Sequence, residues 1–281
     1  MSELLSKTRE ICRMFEIKPA RSKGQNFLIN EKIYDDIVRA AGLLPSDTVL
    51  EVGPGLGFLT ARLAKAAKKV IAVELDDKLA AYLQMAVDAQ DLENVKIVGE
   101  DILRFNPTIY LDKDESYKVV ANLPYNITSI FLRTFLSGVR PPSSLVLMLQ
   151  KEVAQRIVAA PPDMSMLAVS VQYYAEPQII REVKAGNFWP EPEVDSAIIR
   201  LTMREMDKTS RDDKIFFRIV RSGFSAKRKM LKNNLSHGLK IGATDVAAAI
   251  AAQGLDPKVR AEELSLENWR KLVAALSDFV V

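Results

Sequence analysis

Residues 49–57 read VLEVGPGLG, an apolar β-branched run entering a turn with Gly53, Gly55 and Gly57 at alternate positions, and FLTARLAKAA follows with helical character. Glycine lets a backbone turn sharply and approach a ligand where a Cβ would collide. A buried strand, a glycine turn and a helix in that order open a parallel α/β unit. Outward from this turn, strand-like runs recur at 48–52, 69–74, 95–99, 118–121, 144–149, 169–175 and 196–202, with helical patterns at 57–67 and 77–88. The last two runs are joined by a Pro-rich segment, NFWPEPEVDS at 187–196, too short for a crossover helix, so they are expected to form an antiparallel pair at the sheet edge. The expected fold is α/β, with six parallel strands and one antiparallel strand.

After residue 202 the composition changes. MREMDKTSRDDK (203–214) reads as a polar linker, and helical patterns follow at 215–222, 226–235, 243–253 and 266–278. The predicted organisation is one α/β domain with an N-terminal arm over 1–205 and a small all-helical domain over 206–281.

Composition removes several classes of chemistry. In 281 residues Cys12 is the only cysteine and His237 the only histidine, which excludes a disulfide framework and any multi-Cys/His zinc site, so no metal is expected. No G-x-S-x-G elbow accompanies His237, which argues against a Ser-His-Asp hydrolase. No apolar run approaches the roughly 18 residues of a membrane span, and the N-terminus lacks a secretory apolar core. A cytoplasmic monomer without a membrane partner is expected. Net charge is only +3, but residues 214–240 hold eight Lys/Arg and no Asp or Glu. Such a face attracts phosphate chains by counterion release, and Lys227, Arg228, Lys229 and Lys232 are the candidate RNA contacts.

A lone glycine turn also occurs in dinucleotide folds. Here the spacing is G-x-G-x-G with Glu51 two residues before it, a pattern typical of S-adenosylmethionine sites. Glu74 lies seventeen residues beyond Gly57 at a strand end, where a carboxylate can accept from both ribose hydroxyls. Asp101 ends the third strand, placed to accept from an adenine amine. The fourth strand runs into Asn122-Leu123-Pro124-Tyr125. An adenine amine is a poor nucleophile because its lone pair is delocalised into the ring. Two acceptors aimed at its hydrogens, the Asn122 side-chain oxygen and the Leu123 carbonyl, favour a pyramidal nitrogen. Pro124 stiffens the turn, and Tyr125 offers a ring on which an extruded base stacks.

With these motifs in place, the chain resembles the bacterial small-subunit (16S) ribosomal RNA adenine N6-dimethyltransferase family, whose sheet is the Rossmann-like S-adenosylmethionine methyltransferase type. KGQNFL at 23–28, LMLQKEVAQRI at 147–157, FWPEPEVDSA at 188–197, FSAKRKMLKNNL at 224–235 and RAEEL at 260–264 carry the resemblance over almost the whole chain. It implies S-adenosyl-L-methionine as cofactor and dimethylation of two adjacent adenosines in the 3′-terminal hairpin loop of 16S rRNA, within the small subunit or its precursor. It further implies that Gln25, Asn26, Leu28, Leu75 and Ile102 join Glu51, Gly53, Gly55, Gly57, Glu74, Asp101 and Asn122 around the cofactor, and that Phe188 stacks on the target base opposite Tyr125. Two departures bear on RNA grip. Glu193 replaces a usual lysine, and Met164-Ser165-Met166 stands where the family commonly has Tyr-Gly-Arg, removing an arginine.

Related readings share parts of this pattern. A 23S rRNA adenine methyltransferase would more often carry Ile at the Leu123 position and match QKEVAQRI and RAEEL less well. A DNA adenine methyltransferase often has an Asp or Asn-Pro-Pro-Tyr turn and a separate recognition domain. An NAD-dependent dehydrogenase needs hydride-handling residues that are not evident. A ribosome-assembly binding role can coexist with catalysis.

Overall fold

A computed structural model describes residues 2–19, 25–124, 126–205 and 213–280. In chain order the elements are α1 (Glu3–Met14), β1 (Phe27–Leu28), α2 (Glu31–Ala41), β2 (Thr48–Val52), α3 (Phe58–Ala66), β3 (Lys69–Glu74), α4 (Asp77–Asp88), β4 (Val95–Gly99), β5 (Tyr117–Asn122), α5 (Thr128–Ser137), β6 (Ser144–Gln150), α6 (Lys151–Ile157), α7 (Met166–Tyr174), β7 (Ala175–Val183), β8 (Phe188–Trp189), β9 (Ser196–Met203), α8 (Asp213–Gly223), α9 (Leu231–Leu239), α10 (Ala243–Ala251) and α11 (Leu266–Leu276). None of these helices is long and apolar enough to cross a membrane.

The chain divides into two compact units, Met1–Ala154 with Glu176–Met203, and Gln155–Ala175 with Arg204–Val281. The first is built on a seven-stranded sheet of order β4-β3-β2-β5-β6-β9-β7. From β4 to β6 neighbouring strands are parallel, and β9 runs antiparallel to β6. This is the Rossmann-like methyltransferase sheet. Strands buried on both faces read as unbroken apolar runs rather than alternating ones. Val49, Leu50, Val70, Ile71, Val119 and Val120 are accordingly at most 1 % exposed, each worth roughly 1.5–3 kcal/mol of burial. Ile33 and Ile37 of α2 and Leu59 and Leu63 of α3 pack on Val49, Val70 and Val120, and α4 brings Leu83 and Val87 onto Ala72. Side-chain caps set the helix starts. Asn30 accepts from the Lys32 N–H at 3.1 Å, and Asp76 from those of Lys78 and Leu79, a contribution of about 1 kcal/mol per cap.

Three sequence expectations are corrected. The run 169–175 is helical, not a strand, because Ser165 caps α7 by accepting from the Ala168 N–H at 3.1 Å. Ala168, Val169, Val171, Tyr173 and Tyr174 are all buried, and a helix covered on nearly every side shows no 3.6-residue period. The strand follows as β7, an end strand that tolerates Pro177. Second, β9 sits inside the sheet between β6 and β7. Third, the boundary near 205 does not separate the units, since 155–175 belongs with the C-terminal helices. There Met164 donates to the Glu262 carbonyl at 3.0 Å, and the Tyr173 and Tyr174 hydroxyls donate to Asp213 at 3.1 and 2.8 Å. Most of the expected linker, 206–212, lies outside the described residues.

In the second unit the helix expected over 226–235 begins only at Leu231. Residues 226–230 form a turn, closed by the Lys229 N–H on the Ala226 carbonyl at 3.0 Å. The buried Asn234 amide donates to the carbonyls of Gly223 at 2.7 Å and Ala226 at 3.0 Å, pinning the chain there outside a helix.

Candidate functional site

The carboxyl ends of β2, β3, β4 and β5 open into one cavity of about 280 Å³, near the lower end of the ~300–1,000 Å³ of small-molecule sites. From β2 the chain builds the sheet first toward β4, then crosses to β5 and β6, and a crevice opens where that order reverses. Gln25, Asn26, Leu28, Glu51, Gly53, Gly55, Glu74, Leu75, Asp101, Ile102, Asn122 and Pro124 all line it.

The glycine turn serves two purposes. Gly53 has φ +65° and donates its N–H to the Val73 carbonyl at 3.0 Å, fastening the turn to β3. Gly57 has φ +76° and starts α3, and a Cβ there would stand 2.6 Å from Leu83 Cδ1. Unlike Gly53 and Gly55, Gly57 does not line the cavity, and its glycine is demanded by the approach of α4.

Glu74, 7 % exposed, is held at both oxygens. The Gly55 N–H donates to Oε2 at 3.1 Å and the Asp76 N–H to Oε1 at 3.0 Å. Burial raises its carboxyl above the ordinary range and these backbone bonds oppose the rise. A carboxylate offers about four lone-pair positions, so two remain, the number a ribose diol occupies. Asp101 Oδ1 accepts from the Leu103 N–H at 2.9 Å, which orients the carboxylate. Ile102 is buried, whereas Leu75 is 64 % exposed at the rim.

Glu51 differs from both. It is 1 % exposed, and neither of its oxygens has a hydrogen-bond partner, nor has Thr60 Oγ1. Burial pushes its carboxyl up to about 8, and the Glu74 charge adds to the shift. The nearby Thr60 hydroxyl offsets this in part, without hydrogen-bond geometry to the carboxylate.

At the end of β5 the Asn122 side chain donates Nδ2–H to the Asn26 carbonyl at 3.4 Å, which leaves Oδ1 as the acceptor end. The Pro124 carbonyl accepts from the Ile127 N–H at 3.3 Å and the Thr128 hydroxyl at 3.5 Å, joining the turn to α5. Leu123 is 2 % exposed, donates its N–H to the Met148 carbonyl at 3.2 Å and keeps its side chain off the cavity. Tyr125 lies outside the described residues. Phe188 is not brought to the cavity. It is 4 % exposed, sits opposite Leu28 in the antiparallel β1–β8 pair and packs with Leu28, Tyr34 and Ile198. Sequence reasoning missed that pairing, whose only trace was that QNFL and FWPEP both stood out as motifs. It also missed Tyr34, Asp76 and Asn126 as lining residues. In the second unit Lys227, Arg228 and Lys229 are exposed on the turn before α9, and Lys232 is half-buried in its first turn.

Buried acceptors in search of donors, a glycine cradle and apolar walls fit a nucleoside cofactor with a charged amino-acid end. The comparisons with known proteins agree. The family model described as ribosomal RNA adenine dimethylase matches residues 17–278. A ribosomal RNA small subunit methyltransferase A of Dehalococcoides mccartyi (strain CBDB1) is 44 % identical over 272 residues, covering 96 % of this chain and 92 % of that one. Its counterpart in Clostridium botulinum (strain Okra / Type B1) is 39 % identical over 276 residues, covering 97 % and 99 %. Among solved structures, a dimethyladenosine transferase from Plasmodium falciparum superposes with a TM-score of 0.76 at 25 % identity, covering 90 % of this chain and 98 % of that one. The 23S rRNA methyltransferase ErmE gives 0.73 at 27 %, covering 90 % and 100 %.

Proposed function

This chain belongs to the ribosomal RNA adenine dimethylase family, and from that premise we propose that its substrate is the RNA of the small ribosomal subunit or its precursor, modified at two adjacent adenosines of the 3′-terminal hairpin loop. It is an S-adenosylmethionine-dependent methyltransferase acting on rRNA adenine. The small-subunit assignment is supported by curated relatives at 38–44 % identity over nearly the full chain, against 27 % for the 23S enzyme. We further propose that the protein works as a monomer in the cytoplasm.

In this reading Glu74 receives the ribose hydroxyls, Asp101 the adenine amine of the cofactor, and the backbone at Gly53 and Gly55 lets the ligand approach closely. Gln25, Asn26, Leu28, Leu75 and Ile102 complete its walls. When bound, S-adenosylmethionine supplies an electrophilic methyl on its sulfonium. Asn122 Oδ1 and the Leu123 carbonyl accept the two amine hydrogens of the target base and turn its lone pair toward that methyl. Pro124 restricts the backbone that aims them. Tyr125 stacks on the base, a contact worth ~1–3 kcal/mol, with Phe188 on the other side. The methylated nitrogen is acidic enough to lose its proton to water, so no strong base is needed. Lys227, Arg228, Lys229 and Lys232 hold phosphates.

The observation that carries this reading is the Asn122 side chain, fixed through the Asn26 carbonyl, on the same cavity as Glu74 and Asp101. The test is transfer of tritiated methyl to unmethylated 30S subunits, 50S subunits and naked rRNA, followed by nucleoside analysis. Dimethyladenosine in the 30S reaction is expected. Label confined to the 50S reaction would overturn the small-subunit assignment.

A further inference from the structure

Glu51 occupies the centre of β2, behind the glycine turn, and its carboxylate lines the cavity with neither oxygen hydrogen-bonded. The groups that face it come from three elements. Tyr34 of α2 is close enough for the two charges to feel one another, but its hydroxyl donates to the Leu28 carbonyl at 3.0 Å. Thr60 of α3 is a neutral neighbour, and Glu74 of β3 is a like charge. Among the described residues that bear on Glu51, none is a cation. An ionised carboxylate without a partner in such a place is costly, and the usual response is to keep a proton. Burial holds the Glu51 carboxyl near 8 for that reason.

We propose that Glu51 is the counter-ion of the cofactor's α-ammonium group, and that the free enzyme stores a proton on Glu51 which is released when the cofactor binds. This rests on the reading of the cavity as the S-adenosylmethionine site. Adenine and ribose are neutral, the sulfonium has no N–H to donate, and the methionyl carboxylate would be repelled. The α-ammonium alone brings both a positive charge and the hydrogens that two unpartnered oxygens require. The exchange is balanced. The Glu51 O–H bond breaks, its proton passes to water or buffer, and the ammonium keeps its three hydrogens against the new carboxylate. Affinity then rises about tenfold per pH unit up to the Glu51 titration and levels off above it.

Calorimetry of the full-length enzyme with S-adenosylhomocysteine, at one pH in phosphate and in Tris, reads the protons exchanged from the difference in heat. About one proton released per ligand is expected at pH 7, declining toward pH 9. 5′-Methylthioadenosine keeps the nucleoside and lacks the amino-acid end, so it should bind more weakly and release none. Glu51→Gln should bind S-adenosylhomocysteine with an affinity flat between pH 6 and 8 and no proton release. Binding of S-adenosylhomocysteine to the wild type without proton release overturns the proposal, as does equal release with 5′-methylthioadenosine. Failure of the wild type to bind either ligand overturns the reading of the cavity, and this inference with it.

Discussion

Replacing Gly57 by alanine tests whether the glycine turn is shaped by the ligand alone or also by the packing behind it. At φ +76° an L-residue pays roughly 1–2 kcal/mol, offset by about 0.4–1 kcal/mol of unfolded-state entropy removed. The new Cβ would also stand 2.6 Å from Leu83 Cδ1, well inside the ~3.5–4.0 Å of carbon contacts. Leu83 is 1 % exposed and has no solvent to swing into, so overpacking adds about 1–3 kcal/mol. The expected loss is roughly 2–4 kcal/mol. Gly53→Ala is the matched control. Its φ is +65°, but a Cβ would meet only the Asn122 carbonyl oxygen at 3.8 Å, an ordinary contact, so it should cost about 1 kcal/mol. Gly99→Ala, with open space and no positive φ, should be neutral or slightly stabilising. Urea unfolding followed by tryptophan fluorescence reads these differences. Trp189 lies in the first unit and Trp269 in the second, so a Trp269→Phe background confines the signal to the unit that carries the turn. If Gly57→Ala costs no more than Gly53→Ala at unchanged m, Leu83 yields freely and the close-approach argument is wrong.

The raised Glu51 carboxyl makes the ligand-free protein bind one proton more than its unfolded chain between pH 4.5 and about 8. Stability therefore falls as pH rises through that window, by at most about 5 kcal/mol. Glu51→Gln should remove that slope in urea titrations at pH 5, 7 and 9, and an unchanged slope would place the titration elsewhere. Neutralising Lys227, Arg228 and Lys229 together should weaken RNA binding and flatten its salt dependence, with cofactor affinity constant. RNA affinity indifferent to both salt and these substitutions would remove the second unit as an RNA clamp. Monomethyladenine has one N–H where adenine has two, so the second methyl transfer leans more on stacking. Because Phe188 is buried, Phe188→Ala would also leave a core cavity costing about 3–5 kcal/mol, and Phe188→Leu isolates the ring face better. Timed nucleoside mass spectrometry should show monomethyladenosine accumulating with Phe188→Leu and neither product with Asn122→Ala. Equal slowing of both steps in the leucine variant would exclude stacking as the discriminating contact.

The cofactor half of the site was legible in local sequence because each part is a strand followed directly by its functional residue. The runs 48–52, 69–74 and 95–99 coincide with β2, β3 and β4, since strands buried on both faces announce themselves as continuous apolar stretches between turn residues. Gly53, Glu74, Asp101 and Asn122 follow or close those strands, and parallel register then carries all four to one edge. The tertiary structure alone decided what depends on contacts between distant segments. The insertion of β9 beside β6, the pairing of Phe27–Leu28 with Phe188–Trp189 and the assignment of 155–175 to the C-terminal unit all rest on apolar burial among residues far apart in the chain, which no local period encodes. Helix α7 was misread for the same reason, being covered on nearly every side. Glu51 shows the division within one residue. Its place before the glycines was plain in the sequence, but that both oxygens lie buried without a partner follows only from the helices and strands that close around it.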